Sequence, residues 1–180
     1  MGVLLFVIAF YLLIVMLIPG VVHVVIGAFR GRGGWTYINS SFMSAALAID
    51  VAGNVVFSTL LNDWFVKKGA WLYGSPGQTI SGVTGINYLT NKLNWVGMGL
   101  CATLNIVDFK SWNKGGHCYV AAMNDFASNT MRFRDAAEFQ DILTNNSPPR
   151  WRKDILWAIP FNAICFTLLY TSTKLLLWLI

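Results

Sequence analysis

The sequence predicts an all-α fold: an integral membrane protein with two terminal transmembrane helices and a small helical membrane-apposed module between them. Two apolar runs predict it, Val3 to Phe29 and Ile155 to Ile180, each longer than the roughly 20 residues that a helix needs to cross the hydrocarbon layer. The placement of charge agrees. Of the thirteen Lys and Arg residues only Lys174 lies in an end segment, and all eight Asp and Glu residues fall between Asp50 and Asp154. The chain therefore divides into an N-terminal anchor and Gly/Arg linker (1–34), a helical module (35–150) and a C-terminal transmembrane helix (151–180).

Taken in order, the first run contains Pro19-Gly20, where the missing amide predicts a bend near Ile18. It also contains His23, close enough to the end of a tilted helix to reach interfacial water. Its apolar stretch is too long for a signal-peptide h-region and carries no basic n-region, so an uncleaved anchor is expected. Arg30 and Arg32 follow it, with Trp35 as an interfacial aromatic. Arg150, Trp151, Arg152 and Lys153 precede the last run in the same way. Positive residues beside span ends stay cytoplasmic, which places residues 30–154 on the cytoplasmic side of the membrane with both termini across it.

From Ser41 to Val66 an apolar helix is expected, interrupted by Asp50, Asn54, Ser58 and Asn62 at four-residue intervals on one face. As a third span it would carry Asp50 near its centre at a cost of about 2.5–3.5 kcal/mol, so surface or interior packing is preferred. Lys67-Lys68-Gly69 reads as its end. A Gly, Pro and Ser-rich connector from Tyr73 to Gly85 follows, without the lysine and spacing of a phosphate-binding loop. Leu93 to Phe109 is helical by its apolar stripe, the Lys114–Cys118 turn starts another short helix through Ala127, and Arg132 to Leu143 is a charged helix that Asn145–Pro149 ends. Pro160, Asn162 and Lys174 fall in the last span.

Composition limits the function. With 56% hydrophobic and 12% charged residues, the chain carries about half the charge of a soluble domain. A net charge of +5 suits an anionic membrane surface and lacks the dense basic stripe of a nucleic-acid binder. Three cysteines, Cys101, Cys118 and Cys165, do not describe a disulfide framework. His23, His117 and these cysteines are too dispersed for zinc, so no metal and no cofactor is expected. His117-Cys118, with Asp108 and Asp125 nearby and Thr79 and Ser81 in the Gly-rich loop, are the candidate catalytic and substrate-binding residues of a Cys/His hydrolase or transferase. Neighbours on a helix point about 100° apart, so a structural role for the pair competes with a catalytic one.

Asp50-x-x-x-Asn54, Gly74-x-Pro-x-x-Thr-Ile-Ser81, Gly85, Trp95 with Leu100, Asp108, and His117-Cys118 with Ala121 and Asp125 together resemble a group of small proteins encoded by bacteriophages and prophages. That group carries a Gly-x-Pro-x-x-Thr-Ile-Ser loop and a later His-Cys pair. The likeness covers roughly residues 48 to 126. Gly77-Gln78 and Gly82 stand where the group often has an acidic pair and a second Ser. The resemblance implies a phage or prophage origin and no particular activity.

The expectation is a structural or interaction component of a membrane or virion-associated assembly, partnered by the lipid bilayer and by other proteins or copies of itself. A Cys/His enzyme is the first alternative. A holin-like permeation or lysis protein, with the Asp50, Asn54, Ser58 and Asn62 stripe as pore lining, is the second.

Overall fold

The computed structural model describes residues 2–127, 137, 140, 141 and 151–179. The helices are α1 (Gly2–Phe29), α2 (Gly34–Val56), α3 (Ser58–Trp64), α4 (Ile80–Leu89), α5 (Trp95–Val107), α6 (His117–Ala127) and α7 (Ala158–Leu179), with 3-10 turns at Phe109–Lys114 and Trp151–Trp157. Among the described residues there is no strand, and the β pairing is an isolated antiparallel bridge between Val66 and Leu93. The expected Arg132–Leu143 helix, apart from residues 137, 140 and 141, and its Asn145–Pro149 break lie outside the described residues. The chain forms two compact units, Met1–Ala48 and Ile49–Ile180.

In the first unit α1 runs through Pro19 without interruption. It closes with the Arg32 amide donating to the Gly27 carbonyl at 3.3 Å, while Gly31 takes φ +85°. A left-handed residue at this place lets the chain turn back and satisfy a terminal carbonyl, which is why a glycine stands there. The Arg32 guanidinium lies 3.5 Å from His23 Nε2. Trp35 is in α2, which starts at Gly34, earlier than the expected Ser41, and it is 78% exposed.

The second unit is organised around α4. Every residue from Ser81 to Asn87 is buried. Three small apolar clusters surround it: Ile86 with Ala122, Leu61 with Tyr73 and Val83, and Leu93 with Cys101 and Cys118. α6 lies directly against it. A Cβ on Gly82 would stand 2.0 Å from Asp125 Oδ2, and one on Gly85 would stand 2.0 Å from the Cys118 carbonyl oxygen. These glycines, read in the sequence as loop residues, are in the helix because the Asp125 carboxylate at Gly82 and the Cys118 backbone at Gly85 leave no room for a side chain. The pairing of Gly82 with Asp125 and Gly85 with Cys118 makes the two helices antiparallel.

The expected continuous helix from Ser41 to Val66 is broken at Phe57, and the axes of α2 and α3 meet at 75°. Hydrogen bonds persist across the break, Phe57 N to Gly53 O and Leu61 N to Phe57 O, both at 2.9 Å. α3 ends at Trp64, before Lys67-Lys68-Gly69, and those residues form a turn closed by Ala70 N on the Lys67 carbonyl at 3.2 Å. α5 is capped by Asn94, whose Oδ1 accepts from the Val96 and Gly97 amides at 3.0 and 3.1 Å.

α5 carries α7. A Cβ on Gly99 would stand 2.4 Å from Phe161 Cβ, and Asn162 Nδ2 donates to Thr103 Oγ1 at 2.9 Å. Tyr88 Oη donates to the Asp154 carboxylate in the 3-10 turn ahead of α7. Small residues with a polar bond between them are how helices associate where lipid surrounds them. Two helices, Tyr11–Phe29 and Arg152–Lys174, are long and apolar enough to cross a membrane, and the bent α2–α3 pair passes the same test if taken as one broken span.

The α4–α6 contact makes a direct test. Gly85→Ala is expected to lower thermal stability in mild detergent by about 1–3 kcal/mol or more, because neither backbone can move aside alone. Gly20→Ala, with nothing within 4 Å of the new methyl group, is expected to leave it unchanged or raise it.

Candidate functional site

Residues 71–81 are a strap that climbs from the Lys67–Ala70 turn to the start of α4. Its backbone is held by side chains from four helices. Asn87 Oδ1 accepts from Trp71 N at 2.8 Å while its Nδ2 donates to Trp71 O at 2.7 Å. Asn62 does the same for Tyr73, at 2.8 and 3.1 Å. Asn54, fully buried, accepts from Gly74 N at 3.2 Å and donates to the carbonyls of Ser75 and Gln78, each at 3.0 Å. An amide matches backbone in this way because it presents a donor and an acceptor at the same spacing as a peptide group.

Two carboxylates finish the strap where it becomes α4. Asp125 Oδ2 accepts from Thr79 N at 2.8 Å and Thr79 Oγ1 at 2.9 Å, and that hydroxyl accepts from Gly82 N at 2.8 Å as the N-cap. Asp50 Oδ1 accepts from Ile80 N at 3.0 Å and Ser81 N at 3.4 Å, and Oδ2 accepts the Ser81 hydroxyl. Acidic groups at the positive end of a helix are well placed. Burial pushes the Asp125 carboxyl above its ordinary range despite the two Thr79 bonds, and the charge of Asp50 pushes it the same way.

A second polar group closes the α5–α6 turn. Asp108 Oδ2 accepts from Ser111 Oγ at 2.6 Å and from His117 Nδ1 at 2.9 Å. Burial raises the Asp108 carboxyl, but the bonds from Ser111, His117 and the Lys110 amide outweigh it and hold the group below its usual value. An ionised Asp108 assigns the proton to His117 Nδ1. The turn needs Gly115 at φ +100°, a conformation that side chains rarely adopt.

The polar stripe of α2 and α3 thus faces the strap: Asp50, Asn54 and Asn62 bond it, and Ser58 Cβ lies 3.0 Å from where a side chain on Gly74 would begin. Thr79 and Ser81 share this cluster. His117 and Cys118 belong elsewhere. Eight residues of α6 separate His117 from Asp125, which is about 12 Å of helical rise. The Cys118 thiol is fully buried, donating to the Cys101 carbonyl at 3.9 Å; burial raises its pKa well above the ordinary thiol value, and the neighbouring Cys101 and the charge of Asp50 add to this. A thiol in this state is a poor nucleophile. Arg152 and Lys153 are exposed, the side chain of Trp151 is not described, and Arg150 lies outside the described residues.

Sequence reasoning missed Asn87 and Asn105, the latter accepting from Cys118 N at 3.1 Å. The available signal was an Asn inside an otherwise apolar helix, which demands a partner. Among the described residues no three His, Cys, Asp or Glu side chains gather in a way that could hold a metal ion. Compared with known proteins, the chain matches no family model, no curated protein and no solved structure.

Two outcomes are expected. First, Asp125→Ala leaves the Thr79 donors unpaired and destabilises by about 1–3 kcal/mol for each, read by thermal melting in detergent. Asp125→Asn retains an acceptor and changes the pH profile instead. Because the folded pKa of Asp125 is raised, the folded state holds its proton longer, and stability falls as pH rises from the unfolded value of about 3.9 through the folded one. In Asp125→Asn that decline is lost. Asp108 acts with the opposite sign: its stabilisation is present above about pH 3.9 and disappears as pH falls through its lowered folded value. Second, Cys118 is expected to react with a maleimide at neutral pH only after denaturation, and Cys118→Ala to remain folded; rapid labelling of native protein would show an opening that the fold lacks.

Proposed function

We propose that the protein is an integral membrane component that works by binding partners, with its central module anchored on the cytoplasmic face of a bacterial inner membrane. It serves a membrane or virion-associated assembly of the phage-related kind that the sequence resemblance implies. The observation that carries this reading is where the reactive groups are used. Asp50, Asp125, Thr79 and the buried asparagines bond the protein's own backbone, the Ser81 hydroxyl bonds Asp50, and His117 and Cys118 sit at the other end of α6 from Thr79. The chemistry-bearing residues are thereby committed to holding shape. Large apolar side chains such as Phe42, Met43, Leu47, Val55 and Phe57 remain on the outside, in a form that suits lipid and partner helices.

A shaped, rigid module tethered by apolar helices is suited to docking. The pore reading has less support, since Asn54, at the middle of the stripe, is fully buried against the strap.

The test is extraction and assembly. The protein is expected to resist alkaline carbonate and to purify in mild detergent as an oligomer or with a partner in fixed ratio, measured by light scattering and native mass spectrometry. Recovery in the aqueous fraction without surfactant sinks the anchoring; a partnerless monomer sinks the interaction role.

A further inference from the structure

Three lysines gather on the turn after α3. The Val66–Leu93 bridge and the bond from Lys67 N to the Lys92 carbonyl at 2.8 Å lock two distant stretches side by side. The Lys92 ammonium lies 3.8 Å from where a side chain on Gly69 would begin, and Lys67 and Lys68 are exposed. Lys67 Nζ donates to the Asn91 carbonyl at 3.2 Å, which leaves further ammonium donors available. None of the three forms an ion pair among the described residues, and neither does Asp63, the nearby acid in sequence. The turn thus carries three positive charges with no ion pair among the described residues.

Large apolar side chains are exposed on the segments that flank it in sequence. Trp64 is 59% exposed, Leu72 61%, Trp95 49% and Leu60 47%. The position of the cluster follows from α7. The Phe65 ring meets Phe161, in the first turns of α7, edge-on at 6.5 Å between centroids, and Asn94 Nδ2 donates to the Trp64 carbonyl at 2.6 Å. The lysine turn therefore adjoins the end of the candidate span at which Arg152 and Lys153 are exposed.

We propose that α3 and the Lys67–Lys68–Lys92 cluster lie in the headgroup layer of the leaflet that α7 enters, and bind the phosphates of anionic phospholipids. This rests on the reading of α7 as a membrane span. Exposed tryptophans and lysines on the same short segments match that layer, where glycerol and upper acyl groups accept the rings and phosphates accept the ammonium groups. A protein partner would need its own carboxylates set among apolar pockets, and the continuity with the entry point of α7 favours lipid.

The full-length protein in phosphatidylcholine nanodiscs containing phosphatidylglycerol provides the test, with spin-labelled phosphatidylglycerol and phosphatidylcholine compared for association. Wild type is expected to prefer the anionic lipid at low salt. Lys67→Gln, Lys68→Gln and Lys92→Gln each reduce the preference up to about fivefold, and Lys110→Gln with Lys114→Gln does not. Salt weakens the wild-type preference. If Lys67→Gln or Lys92→Gln does not fold, Lys68→Gln alone carries the comparison. A spin label at Leu60→Cys in a Cys165→Ser chain is expected to be relaxed by oxygen more than by an aqueous nickel chelate. An anchored protein whose lipid preference survives these substitutions, or whose residue 60 faces the nickel chelate, overturns this proposal and leaves the anchoring intact. Failure of anchoring in the carbonate extraction overturns both.

Discussion

A peptide group without a hydrogen-bond partner is intolerable in a place that water does not reach, and the buried parts of the strap from Trp71 to Ser81, at Tyr73, Gln78, Thr79 and Ser81, are where this fold meets that constraint. An unpaired amide or carbonyl moved out of water costs roughly 2–7 kcal/mol. Outside a helix the chain has no internal partner to offer, so the partners come from side chains: Asn87, Asn62, Asn54, Asp125 and Asp50 in sequence along the strap. The bend between α2 and α3 lies between two of these partners. Asn54 and Asn62 flank the 75° turn at Phe57, and both bond the segment from Tyr73 to Gln78.

The same condition explains the glycines. Beside the apolar clusters that Val83 and Ile86 join, helices approach closely where glycine leaves room. Gly82 and Gly85 admit α6, Gly97 admits the Phe65 carbonyl and Gly99 admits α7. The interior that results is small and polar, with Asn54, Gln78, Thr84, Asn87 and Asn105 almost fully buried. The exterior carries Phe, Trp, Leu and Val. For a protein solvated by water this distribution would be costly; for one solvated by lipid, where apolar burial drives little, packing and internal hydrogen bonds hold the structure together.

The helical class, the two apolar ends and the α5 and α6 segments were legible in the sequence because long periodic stretches of apolar residues report directly on their surroundings. The stripe Asp50, Asn54, Ser58 and Asn62 was legible as a face, since spacing alone determines which residues align. What that face touches was not, because its partner is loop backbone, which has no sequence identity. α4 was hidden for a related reason. Its Thr-Ile-Ser-Gly-Val-Thr-Gly start has the glycine content of a connector, and the reason for those glycines is a helix that arrives from more than thirty positions away in sequence. The His117–Cys118 pair illustrates the opposite error: adjacency in sequence suggested joint chemistry, whereas the fold turns His117 to Asp108 and seals Cys118 beside Cys101.

Asp50 changes meaning between the two levels. As a lone carboxylate in an apolar helix it carries an insertion cost of about 2.5–3.5 kcal/mol, which argues against α2 lying at membrane depth. In the fold its two oxygens accept the first amides of α4 and the Ser81 hydroxyl, at the helix end where the partial charge is positive. Each charge-assisted bond of this kind contributes about 1.5–3 kcal/mol, so the objection from Asp50 is offset by the contacts that the folded chain supplies. The outward residues of α2 share one character. Phe42, Met43, Leu47, Ile49, Val55 and Val56 are all exposed and all apolar, and the bent α2–α3 pair is long and apolar enough to cross a membrane if taken as one broken span.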